Sequence, residues 1–198
     1  MNLKLIIIIF MCALNTSQAI SLEEVVVQND MVAFKNYFID KSKINKKVRF
    51  VRFKKNKLGE YIRINELITP ISLACIHDRV EMVRFLLNHK ANPNLKSDDG
   101  QDSILHSNTW QILSLILDKS NKDLKEYSID VRFLISRNRV DLIKLIDKKI
   151  NLEKFSKDIK DEISRDAIDD FRGYKDDSII LFLKYKKFNL KAPKLKNN

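Results

Sequence analysis

The sequence predicts an all-α chain interrupted by one β-hairpin, and three observations carry that prediction. Gly and Pro are scarce, three of each in 198 residues, whereas sandwiches and barrels need many tight turns that want those residues. Apolar residues recur at helical spacing through the body, as in Val80, Val83, Leu86 and Leu87. Between Asn45 and Glu66 that period stops. There VRFVRF (48–53) and YIRI (61–64) bring β-branched and aromatic residues to either side of a polar KKNKLGE. The hairpin is expected near 47–64.

The first residues, MNLKLIIIIFMCALNTSQA, have the parts of a secretory leader. Lys4 supplies the positive start, Leu5 to Leu14 an apolar run, and Ser17 and Ala19 the small residues before a cleavage point. The run is shorter than the roughly 20 residues that span a bilayer, and four consecutive Ile leave no polar face for a buried amphipathic helix. Residues 1–19 are therefore expected to be a signal peptide cleaved after Ala19, with the protein periplasmic or secreted. Cleavage removes Cys12 and leaves Cys75 alone, so no intramolecular disulfide is expected.

The segment 69–94, TPISLACIHDRVEMVRFLLNHKANPN, is the most informative. Thr69-Pro70 suits a helix start, with Thr as N-cap and Pro at the first helical position. His77-Asp78-Arg79 interrupts, a second apolar-periodic helix follows, and Pro93 cannot continue it. This unit of helix, tight turn, helix and loop resembles the ankyrin repeat. TPISLA stands for its TPLHLA opening, Glu81, Val83, Leu86 and Leu87 for its E-x-V-x-x-LL, and KANPN for its GADxN loop. SDDGQDSILH (97–106) is similar to the DGxTPLH start of a next repeat.

Weaker copies share the shape. In residues 21–45, Met31, Phe34, Tyr37, Phe38 and Asn45 align with Val80, Val83, Leu86, Leu87 and Asn94. TWQILSLILDKS (109–120) sets Leu113, Ile116 and Leu117 on the same face, after a first helix that is shortened. NRVDLIKLIDKKINL (138–152) repeats the Arg-Val-acid-apolar start at Arg79, and DSIILFLKYKKFNL (177–190) ends like it. The resemblance implies an ankyrin-like helix-turn-helix solenoid of about five irregular repeats. Its units lie near 20–45, 66–95, 100–124, 126–152 and 155–190, with a basic insertion at 46–65 and a basic tail at 191–198. Ankyrin loops normally place Gly where φ is positive. Here Lys90 stands in that place, at a cost on the order of 1 kcal/mol.

Catalytic constellations are missing. There is no G-x-S-x-G, phosphate-cradling Gly-rich loop or H-E-x-x-H. Cys75 and His77 lie two apart, on different faces of a helix, and Cys75 falls where the repeat carries a small buried residue. His77, His89 and His106 lack metal-ligand spacing with that cysteine. His106 falls at the TPLH histidine, which is implied to hydrogen-bond within its turn. The acids of 166–171 and 175–177 lack the alternation of a calcium loop, and Trp110 is expected to pack at the start of a helix. No cofactor, no metal and no enzyme activity are expected.

The charge is concentrated. Net charge is +11, and residues 41–63 hold ten Lys or Arg against one acid, Glu60. The hairpin is expected to present Arg49, Phe50, Arg52, Phe53, Lys54, Lys55, Lys57, Tyr61 and Arg63 to a partner. An unknown protein with an acidic surface is the first reading, with fast and salt-sensitive association. Nucleic acid, with Phe50 or Phe53 stacked on bases, is disfavoured by export and by the lack of a nucleic-acid motif. Peripheral contact with an anionic membrane surface is a further alternative, and a charged strand edge that merely keeps the chain soluble is the plainest. A monomer is expected. The Lys-, Ile- and Asn-heavy composition suggests an AT-rich, bacterial source. The role expected is binding, as a periplasmic adaptor or inhibitor or as a secreted effector.

Overall fold

The computed structural model describes residues 20–56, 58–171, 178–188 and 190. The expected leader 1–19, Lys57, the acids 175–177 and the expected basic tail 191–198 lie outside the described residues. Helices α1 (Leu22–Val27) and α2 (Met31–Tyr37) come first, and strands β1 (Val48–Lys55) and β2 (Tyr61–Ile68) follow. The rest is helical: α3 (Pro70–Ile76), α4 (Val80–Asn88), α5 (Trp110–Lys119), α6 (Leu124–Ser136), α7 (Val140–Ile150), α8 (Lys157–Phe171) and α9 (Ser178–Tyr185).

Helices α1, α2, α3 and α6 begin where side chains replace the missing backbone acceptors. Ser21 and Glu24 form a capping box at α1, as Asp123 and Glu126 do at α6. Asp30 Oδ1 accepts from the N–H groups of Val32 and Ala33 at 3.0 Å each. Thr69 Oγ1 accepts from Ser72 N–H at 3.1 Å, with Pro70 as the first helical residue, as its sequence predicts.

Helices α1, α3, α4, α6 and α9 end in a recurring left-handed residue that is not glycine. Asn29, Asp78, Lys90, Asn138 and Lys187 all have φ between 54° and 65°. At each, two N–H groups fold back in the Schellman pattern, as in Asp78 to the Cys75 carbonyl at 3.1 Å and Arg79 to Ala74 at 2.9 Å. Lys90 does so to Leu87 and Ala91 to Leu86.

Helices pair as α1/α2, α3/α4, α6/α7 and α8/α9, and each pair packs on its neighbours: α1 on α3, α4 on α5, α5 on α7, α6 on α8 and α7 on α9. The buried seam runs through Phe34, Val83, Leu86, Leu113, Ile116, Ile143 and Ile146. These include positions that align between segments of the sequence, because each pair buries its apolar stripe on the next. Trp110 departs from its expected packing. It is 60 % exposed, since Ile112, Leu113, Ile116 and Leu117 already occupy the inward face of α5.

Between α4 and α5 the described residues form no helix. The shortened helix expected there is a turn at 103–106. Ser103 Oγ donates to the Pro93 carbonyl and Ser107 Oγ to the Ser103 carbonyl, both at 2.7 Å. Asp102 Oδ1 accepts from Ile104 N–H at 3.0 Å. Such short polar side chains compete with the helical ladder for backbone partners.

Candidate functional site: the basic hairpin

The two strands pair antiparallel from Val48↔Ile68 to Lys55↔Tyr61. The ladder thus runs four residues past the expected end at 64. Glu66 reaches Arg52 across the sheet, Nη2 to Oε1 at 2.7 Å. Leu67 and Asp98 exchange bonds at the outer edge: Asp98 N–H donates to the Leu67 carbonyl at 2.9 Å, and Leu67 N–H to Asp98 Oδ2 at 3.2 Å. These partners hold Asn65–Ile68 extended up to the N-cap of α3.

Register sorts the candidate residues onto two faces, because successive side chains alternate. Val48, Phe50, Arg52 and Lys54 share one face with Ile62, Ile64, Glu66 and Ile68. At its base this face meets the helical body. Phe50 is buried, its ring edge-on to His77 with centroids 6.3 Å apart. Beneath it lies an open groove of about 280 Å³ lined by Phe50, Arg52, Ile76, Gln101, His106 and Asn108 among others. Burial commits the Phe50 ring to the core, and the ion pair commits Arg52 to Glu66.

The other face holds Arg49, Val51, Phe53 and Lys55 opposite Leu67, Asn65, Arg63 and Tyr61. Arg49, Lys55 and Arg63 are exposed, Phe53 is 66 % exposed and Tyr61 69 %. Lys55 Nζ lies 5.2 Å from the Tyr61 ring centroid. None of the strand residues on this face is a carboxylate. Glu66 is on the other one, and Glu60 is in the turn, where Asn56 Nδ2 donates to its Oε2 at 2.9 Å. Lys54 is exposed on the body-facing side near the tip, and Lys57 lies outside the described residues.

The basic tract continues past the strand. Lys43, Lys46, Lys47 and Arg49 line an open groove of about 410 Å³ with Tyr37, Ile20 and Leu22. Lys47 is paired there with Asp98, Nζ to Oδ1 at 2.9 Å. That bond is the first cause holding the Asp98 carboxyl below its ordinary value.

A second charged cluster is not visible in the sequence. Lys122, Asp102 and Asp130 are almost wholly buried, with Lys122 Nζ 2.6 Å from Asp102 Oδ2 and 2.7 Å from Asp130 Oδ2. Burial first, and the like charge of Asp102 next to it, push the Asp130 carboxyl up to about 7 against the pull of Lys122. Burial works against charge on Lys122, but the two carboxylates outweigh it and hold its pKa above the ordinary lysine value. The cluster ties the turn at 102 to α6, in place of the missing helix. Nothing in the spacing of residues 102, 122 and 130 signals it.

The remaining candidates are structural. Cys75 is fully buried, and desolvation drives its thiol pKa far upward, which disarms it as a nucleophile. His106 is buried with its pKa lowered, chiefly by burial. Its Nε2 has no hydrogen-bond partner among the described residues. Asp166 and Glu162 both pair with Arg132. Among the described residues no group of His, Cys, Asp and Glu is arranged to hold a metal ion, and no helix is long and apolar enough to cross a membrane.

No curated protein matches the chain. Residues 67–98 match the family model of the ankyrin repeat, the stretch from the end of β2 to Asp98. The unit built by α3 and α4 is thus similar to an ankyrin repeat, and that similarity suggests a protein-interaction module.

Proposed function

We propose that the chain is an exported ankyrin-type module that binds a protein and performs no chemistry. Five degenerate units account for its helices: α1/α2, α3/α4, the 102–108 turn with α5, α6/α7 and α8/α9. Stacked units bury their faces on each other and leave extended surfaces rather than deep pockets. The observation that carries the reading is the outward face of the hairpin. There Arg49, Lys55 and Arg63 stand beside Phe53 and Tyr61 with no carboxylate among them. Such a face supplies long-range attraction to an acidic surface and aromatic area for close contact. The base of the opposite face is spent on the body through Phe50 and on the Arg52–Glu66 pair, which supports contact through the outward one.

The test is affinity capture with the full chain beside a variant carrying Arg49→Ser, Lys54→Ser, Lys55→Ser and Arg63→Ser. A partner retained by the first and lost by the second supports the hairpin. A partner retained by both moves the site elsewhere on the array. Export rests on the leader sequence, and the periplasm or medium is the expected place. Cell fractionation with N-terminal sequencing checks it: a chain starting at Ile20 there supports export, and Met1 retained in the cytoplasm overturns it.

A further inference from the structure

We propose that the partner is an extended acidic segment that adds as a third strand to the outer edge of β2. This rests on the hairpin being the binding site and adds the geometry of the contact. The alternation of the ladder decides which backbone groups are free. Asn56 N–H donates to the Glu60 carbonyl at 2.8 Å, so 56 and 60 form a hydrogen-bonded pair. Alternate pairs then bond inward, and 55/61, 53/63, 51/65 and 49/67 turn their N–H and C=O groups outward. Leu67 confirms the phase, since both its groups bond outward to Asp98.

Asp98 is also the chain's own example of an acid seated on this edge. Its N–H and carboxylate bond the Leu67 backbone while Lys47 holds the same carboxylate from the side. The finger that carries it is short. It turns at Gly100, where φ is 78°, and Ser97 N–H closes it on the Gln101 carbonyl at 2.8 Å. Among the described residues nothing outside the hairpin bonds the backbone of Asn65, Arg63 or Tyr61. An open row of outward groups thus continues from the rung that Asp98 occupies.

The same residues set the chemistry of the occupant. Arg63 lies on that edge, with Lys55 and Arg49 on the same face one strand away. Carboxylates at alternate positions of an added strand would meet them. A second copy is a poor occupant, because edge-to-edge pairing would set these cations against their own kind.

The experiment uses a labelled peptide of about eight residues, the length of β2, with alternating Glu and Val. Its Gln-Val counterpart is the control, and binding is read by fluorescence anisotropy. Two variants remove one outward N–H from opposite edges of the same rung, Asn65→Pro and Val51→Pro. Neither breaks an inward ladder bond, and edge positions tolerate proline. The expected result is binding of the acidic peptide, weakened by about tenfold or more in Asn65→Pro and little changed in Val51→Pro. Binding should also fall as salt rises through roughly 0.05 to 0.2 M. No binding of the acidic peptide overturns the proposal, as do equal responses of the two variants or loss in Val51→Pro alone. Equal or tighter binding of an oligothymidine strand, or of vesicles containing phosphatidylserine, overturns it too. A binding site that survives Asn65→Pro but is lost in Lys55→Ser with Arg63→Ser removes strand addition and keeps the protein-binding face. Binding that survives both removes both. If the peptide does not bind, the capture experiment still decides the broader reading.

Discussion

Arg79 and Arg139 occupy the same place in two different helix pairs and make the same contact. Each is the N-cap of the second helix of its pair and makes no side-chain cap bond, Arg79 before α4 and Arg139 before α7. Each then reaches to a carbonyl in the preceding turn. Arg79 Nε donates to Val26 at 2.8 Å and also reaches Val27, and Arg139 Nη2 donates to Asn108 at 2.8 Å. Asn108 itself reaches to the Ile76 carbonyl at 3.4 Å. The turns are thereby linked from one pair to the next.

Replacing Arg79 by Ala should therefore destabilise the fold by about 2 kcal/mol, the scale of hydrogen bonds from a charged donor to half-buried carbonyls. Lys should not restore it, because one ammonium cannot reproduce the fork that meets two carbonyls. Urea midpoints of the three proteins check this. Equal midpoints for native and Ala chains would remove the staple.

The buried cluster predicts a pH dependence. A carboxyl whose folded pKa is raised favours the folded state when protonated. The stability linked to Asp130 is thus full below its unfolded value near 4 and is lost as pH rises toward its folded value of about 7. Asp130→Asn has no such loss, so it should gain on the native chain between pH 5 and pH 8. Lys122→Met leaves two buried carboxylates without their cation and should cost about 3–5 kcal/mol at pH 8. Urea unfolding at the two pH values reads both effects.

The left-handed helix ends predict an inverse glycine effect. Lys90 is exposed with φ 65°. Lys90→Gly should therefore stabilise by up to about 1 kcal/mol, while Lys90→Val should destabilise. Asn138→Gly should gain less, since Asn tolerates this region better. Thermal midpoints rank the three.

Phe50 and Phe53 separate stability from binding. Phe50→Ala should cost about 3–5 kcal/mol, the range for a buried aromatic. Phe53→Ala should stay within about 0.5 kcal/mol and weaken partner capture instead. The prediction fails if the two variants unfold at the same urea concentration.

Much of the fold is legible in the chain. Thr69-Pro70 marks the start of α3, and the apolar spacing of Val83, Leu86, Leu113 and Ile116 marks the buried seam. Lys90 in place of glycine marks a left-handed turn. These are local signals, set by capping, periodicity and backbone sterics within a few residues. The candidate site is legible only as a composition. The run from Arg49 to Arg63 announces cations and rings, but a run of residues does not state which neighbours lie opposite.

The sequence by itself determined that helices form, roughly where they begin and end, and that a basic hairpin interrupts them. Tertiary structure alone decided what that hairpin presents. Pairing Val51 with Asn65 and Phe53 with Arg63 puts Phe50 and Arg52 toward the body and Phe53, Lys55, Tyr61 and Arg63 toward solvent. Asp98, thirty-one residues from Leu67, closes the base of the edge and leaves the rest open. The buried joining of Lys122 to Asp102 and Asp130 is of the same kind. Register and burial depend on partners distant in the chain, so no local pattern of residues can encode them.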